Sequence, residues 1–109
     1  MEYVKVAQTT EVMDGAKKRI DLGDRVLLVT NIHGQYYAMD NRCPHMGGSL
    51  YDGKLEGDHI ICPKHGTVFD VKTGKVVQNG KIAFIKLNVS DVNAYPVKVE
   101  GTDILIGME

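Results

Sequence analysis

A chain of 109 residues suits one domain, able to bury a modest core without disulfides but too short for two independent ones. Its 13 basic and 14 acidic side chains leave a formal net charge of -1 and are spread along the sequence, which argues against a nucleic-acid or membrane-surface partner. Two cysteines make no disulfide framework, no apolar run follows basic residues at the N-terminus, and no stretch approaches a membrane span. A soluble cytoplasmic protein, monomeric when free and with reduced thiols, is expected.

In chain order, residues 3–7 alternate with period two, and after Asp14-Gly15 residues 18–22 repeat the pattern. Gly23-Asp24 turns into residues 25–32, rich in β-branched and aliphatic side chains, and His33-Gly34 turns again into residues 35–39. Glycine turns at Gly47-Gly48, Asp52-Gly53 and Gly57 lead to a short strand, residues 59–61, and Thr73-Gly74-Lys75 closes a hairpin behind residues 67–71. Residues 93–100 and 103–107 flank Gly101-Thr102 as a last hairpin. No window carries a helical apolar stripe, so the expected class is all-β, hairpins joined by hairpins.

Chemistry concentrates in two short stretches, Cys43-Pro44-His45 and Cys62-Pro63-Lys64-His65, separated by residues 46–61. They use both cysteines and two of the four histidines, one sulfur and one imidazole in each. Thiolate and neutral imidazole are both good transition-metal ligands, and this set fits either a lone tetrahedral zinc or a two-iron cluster. Pro44 and Pro63 stiffen the loops by fixing φ. His33, in a turn, and His59, among acidic residues, read as surface histidines; Met46 reads as packing, Lys64 as a solvated side chain or else a charge close enough to bias a partner's approach, and Tyr36 and Tyr37 as core and surface on one strand. No nucleophile, acid/base pair or phosphate-binding loop stands beside the ligands, so no catalytic residue is assigned.

The run CPHMGGSLYDG followed by CPKHGTVFD resembles the signature of the Rieske family, and Gly48, Gly66, Phe69, Asp70, the Thr73-Gly74-Lys75 turn and Tyr95-Pro96-Val97 extend the likeness from Arg25 onward. The resemblance implies one [2Fe-2S] cluster, with Cys43 and Cys62 on one iron and His45 and His65 on the other. It implies an antiparallel β-sandwich base, approximately residues 1–40 and 85–109, with a small inserted cluster-binding lobe at approximately 41–84, all in a single domain 1–109. The function implied is that of a soluble one-electron carrier, taking electrons from a flavin-dependent reductase to a terminal oxygenase or similar acceptor. The alternative is the Rieske small subunit of a nitrite reductase or another multisubunit oxidoreductase.

Departures from the family pattern add expectations. Gly47 and Lys64 stand where high-potential members have a disulfide between the ligand loops. Thr67 keeps a hydroxyl where those members have serine, but Phe69 lacks the hydroxyl of their tyrosine, which places the expected potential at the low end of the Rieske range. Residues 76–94 contain no proline, unlike the usual covering loop. Ile82, Ala83, Phe84 and Ile85 offer an apolar cover there, or residues 81–89 form another core strand.

Overall fold

The computed structural model describes residues 1–44, 48–64, 66–82, 85–86 and 89–108. Strand β1 (Glu2–Gln8) opens the chain, and β2 (Lys17–Leu22), β3 (Arg25–Ile32) and β4 (Gln35–Asp40) form an antiparallel meander. A second meander follows from β5 (Lys54–Glu56), β6 (His59–Ile61), β7 (Val68–Asp70) and β8 (Val76–Gln78). Among the described residues, strands β9 (Lys81–Ile82) and β10 (Ile85–Lys86) pair only with each other; β11 (Ala94–Tyr95), β12 (Val97–Glu100) and β13 (Asp103–Met108) end the fold. Among the described residues the only helical pieces are single 3-10 turns at Thr9–Glu11 and Leu50–Asp52. No helix there is long and apolar enough to cross a membrane. The class is all-β, as the period-two segments require.

Three sheets carry the architecture, in the orders β1-β13-β12, β11-β4-β3-β2 and β5-β6-β7-β8. Strand alternation explains how the second sheet serves two cores at once. From β3, Leu27 and Val29 point into a base core with Ala7, Ile20, Ile104 and Ile106. Leu28, between them, points the other way with its cross-strand partner Met39 into a second core made of Leu50, Ile60, Phe69 and Val71. The β3–β4 turn is a two-residue type I′ connection, with φ of 54° at His33 and 88° at Gly34, and Ile32 facing Gln35 across it. Asp14 Oδ1 accepts from the His33 N–H at 2.9 Å, which helps hold a non-glycine residue in that conformation.

The structure also departs from a simple run of hairpins. β1 pairs with the last strand, β13, instead of with β2, so the chain ends close one sheet. The predicted segment 93–100 is two strands: Ala94–Tyr95 pairs with β4, and Val97–Glu100 pairs with β13. Pro96 stands at the crossover, where a residue without an N–H costs no ladder bond, and its carbonyl accepts from the Gly107 N–H at 2.8 Å. Where residues 81–89 could have formed one further core strand, the described residues instead form two short strands, β9 and β10, that pair with each other as a separate ribbon. Of the proposed apolar cover, Ala83 and Phe84 lie outside the described residues.

Candidate metal centre

The first ligand loop leaves the end of β4 and is closed at its base. Arg42 and Ser49 form a β-bridge, and the Cys43 N–H donates to the Gly48 carbonyl at 2.8 Å. Asn41, buried just before the loop, fixes it from inside: its Nδ2 donates to Ser49 Oγ at 2.9 Å and its Oδ1 accepts from the Tyr51 N–H at 2.8 Å. Its backbone N–H and carbonyl are also used, with Val26 and Leu50 respectively. Asn41 was not singled out by sequence reasoning. An asparagine between a strand and a loop ordinarily reads as a turn residue, and only its burial marks it as a brace.

The second loop repeats the closure. The Cys62 N–H donates to the Thr67 carbonyl at 2.8 Å, spanning five residues as Cys43 to Gly48 does, and the Gly66 N–H returns to the Cys62 carbonyl at 3.1 Å. β6 delivers Cys62 and β7 receives the chain after Thr67. Thr67 is buried, and its Oγ1 accepts from the Gly80 N–H at 3.0 Å, tying the ligand loop to the segment before β9. That bond leaves the hydroxyl proton free for donation, which is compatible with a role toward a nearby sulfur.

The two loops meet. A methyl group added at Gly48 would fall 2.7 Å from Lys64 Cγ and 3.4 Å from Cys62 Sγ, so a side chain there would have to push the Lys64 stem aside, and glycine lets the loops pack closely. Cys43 and Cys62 are each 2% exposed, belong to the same hydrophobic core and carry thiols. Buried soft sulfur donors brought to one place by two closed loops fit a metal cluster, and exclude bulk water from one side of it. His45 and His65, the other two predicted ligands, lie outside the described residues, as do Met46 and Gly47. The remaining histidines stand apart from this core: His33 is in the exposed β3–β4 turn, and His59 is half-buried with Nε2 3.5 Å from Asp58 Oδ1.

A polar brace steadies the launch of the first loop from outside. Tyr95 donates its hydroxyl to Asp40 Oδ1 at 2.7 Å, Arg25 Nη1 reaches the phenol oxygen at 3.3 Å, and Asp40 Oδ2 accepts from the Asn93 N–H at 3.1 Å. Burial first, then the bond to Asp40, raises the Tyr95 phenol above its ordinary 10.0, with Arg25 opposing. The protonated form is the one stabilised, so this contribution is complete below pH 10.0 and is lost as pH rises through the raised value. Tyr95→Phe is expected to cost about 1 kcal/mol near neutrality. The difference from the parent protein should close in strongly alkaline solution; thermal melts across that range check it, and a gap that widens with pH would contradict the brace.

Comparison with known proteins gives the same picture. Residues 2–96 match the family model described as the Rieske [2Fe-2S] domain. The chain is 34% identical over 110 residues to the 3-phenylpropionate/cinnamic acid dioxygenase ferredoxin subunit of Shigella boydii, covering 99% of this chain and 95% of that one. The solved ferredoxin of carbazole 1,9a-dioxygenase from Nocardioides aromaticivorans superposes with a TM-score of 0.84 at 29% identity over the full length of both chains. A chain in the solved complex of reduced oxygenase and oxidized ferredoxin in carbazole 1,9a-dioxygenase matches with a TM-score of 0.78 at 28% identity, over 95% of this chain and 91% of that one.

Proposed function

This chain belongs to the Rieske [2Fe-2S] domain family, and from that premise we propose that Cys43 and Cys62 hold one iron of its single cluster while His45 and His65 hold the other. The protein is an electron carrier and not itself a catalyst, like the ferredoxin components it resembles. When bound, the cluster takes up and returns one electron. We assign as donor a flavin-dependent reductase and as acceptor a terminal oxygenase; the related ferredoxin seen with its oxygenase supports the second partner. The whole chain acts as one domain in the cytoplasm, monomeric between encounters that bury little surface.

The observation that carries this reading is the pair of thiols buried in one core beneath two loops closed by matching hydrogen bonds. The chain's own residues then set the environment. Leu28, Met39, Ile60 and Phe69 keep the sulfur side dry, and the Thr67 hydroxyl, which accepts from the Gly80 N–H, keeps its own proton for donation. Phe69, fully buried, brings no hydroxyl. With one donor fewer than high-potential members, the midpoint falls at the low end of the roughly -150 to +300 mV spanned by Rieske centres.

The deciding experiment is absorption and EPR spectroscopy of anaerobically purified protein, before and after dithionite, with iron and labile sulfide assayed on the same sample. Two irons and two sulfides per chain, a reduced signal with average g below that of an all-cysteine cluster, and a midpoint below zero are expected. A colourless protein holding one zinc would overturn the redox function. A normal cluster with a midpoint well above zero would overturn the account of Thr67 and Phe69 alone.

A further inference from the structure

We propose, building on the electron-carrier reading, that Arg42 and Lys64 form a two-cation patch over the ligand loops that docks a carboxylate-bearing face of the electron-accepting protein. The two loops, residues 42–49 and 62–67, contain these two cations and no aspartate or glutamate. Arg42 immediately precedes Cys43, Lys64 immediately precedes His65, and both are exposed.

Their freedom separates them from the other charges. Among the described residues, Lys5, Lys18, Arg19, Lys72 and Lys98 are held in ion pairs. Lys17 lies over the Tyr51 ring and Arg25 over Tyr95. Arg42 and Lys64 have neither kind of partner, a condition shared, among the cations whose side chains the structure describes, by Lys54 and Lys75, which lie outside both loops.

Geometry brings the two together. The Lys64 stem lies against Gly48, within van der Waals reach of where a side chain would begin. Gly48 in turn lines a shallow groove of about 240 Å³ with Arg42 and Ser49. On the other side, Arg42 and Pro44 line a second groove with Arg25; that groove also carries Asp24 and Asp40, so the cationic character lies on the loop side of Arg42. The protein as a whole carries -1, so the positive sign is local to these loops. An unpaired guanidinium and an unpaired ammonium at the rim of a contact raise the association rate of an oppositely charged partner and make it salt-dependent. A guanidinium also accepts a carboxylate in bidentate fashion, which gives the encounter an orientation as well as a sign. Electron transfer then needs no bond made or broken: one electron leaves this protein and the acceptor is reduced by one.

Two measurements on the cluster-loaded protein test the patch, using the parent, an Arg42→Gln/Lys64→Gln variant, and a Lys54→Gln/Lys75→Gln variant that removes the same charge elsewhere. The first is retention on a carboxymethyl surface at low salt near neutral pH, which requires no electron transfer. The second is stopped-flow oxidation of the dithionite-reduced protein by ferricyanide, a trianion that becomes ferrocyanide by taking one electron, and by the cationic cobalt tris-phenanthroline. The parent and the Lys54/Lys75 variant should be retarded on the surface, and their reaction with ferricyanide should slow roughly ten-fold from low to physiological ionic strength. The Arg42/Lys64 variant should pass unretarded and lose most of that salt dependence. Equal behaviour of the two variants, or a parent whose oxidation by the cation falls with salt instead, would overturn the patch while the carrier reading stands. A protein that holds no iron and takes no electron from dithionite would overturn both.

Discussion

Replacing Cys62 by serine is expected to abolish the visible cluster, with iron and labile sulfide falling to background and no reduced EPR signal. Cys43→Ser should do the same. Both sulfurs sit in the hydrophobic core beneath the loops at 2% exposure, so no neighbouring solvent ligand is placed to substitute for them. A serine hydroxyl is a harder donor and stays protonated where a thiol coordinating a metal is deprotonated, so it cannot supply the same charge to iron. The effect should reach beyond colour. Each loop is closed by a few backbone hydrogen bonds and is rich in glycine, which leaves metal ligation as the main force ordering their tips. Amides of residues 42–49 and 62–67 should therefore exchange faster in Cys62→Ser, while β1 and β13 keep their protection. His45→Ala and His65→Ala should likewise lose the cluster. An unchanged absorption spectrum after any of these four substitutions would refute the ligand assignment.

Much of this was legible in the sequence because the signals were local. The turns at Gly23-Asp24, His33-Gly34 and Gly101-Thr102 follow from glycine between alternating segments, and β3 was recognisable from its apolar run. The ligand stretches were legible because each pairs a cysteine with a histidine at a short offset, two residues in the first and three in the second. What the sequence hid was non-local. Nothing in residues 2–8 says that their partner is 103–108, since antiparallel pairing over the whole chain length leaves no local mark. β5 was missed because Lys54-Leu55-Glu56 offers one apolar side chain, and its strand character comes from pairing with β6. The switch at Pro96 was written in one residue, but its meaning depended on which sheets lay on either side. At the site, Gly48 was visible as part of a motif, yet its reason lies in Lys64 and Cys62, fourteen and more residues away. The Asn41 and Tyr95–Asp40 braces needed burial and distance, which no periodicity encodes.

Truncating Phe69 to alanine should be the most destabilising substitution in the loop-bearing half of the molecule, at about 3–5 kcal/mol. Phe69 is fully buried and heads the completely enclosed side chains by volume. It faces Ile60 across the β6–β7 ladder and Val76 across β7–β8, in the core that contains both cysteines. Removing the ring therefore deletes transfer energy and leaves a cavity beside the ligands, against a total stability on the order of 5–15 kcal/mol for a domain of ordinary stability. Phe69→Leu keeps most of the volume and should cost under about 1.5 kcal/mol. The two hydrophobic cores have no buried residue in common, so the loss should be uneven. In Phe69→Ala, amides of β6, β7 and β8 should lose protection and chelators should strip iron faster, while β1 and β13, which pack on the other core, change little. Urea unfolding gives the energy and hydrogen exchange gives its distribution. If the variant melts as one unit with protection lost equally in β1 and β7, the two cores are energetically one, and the ligand loops are held by the whole fold instead of by the half that carries them.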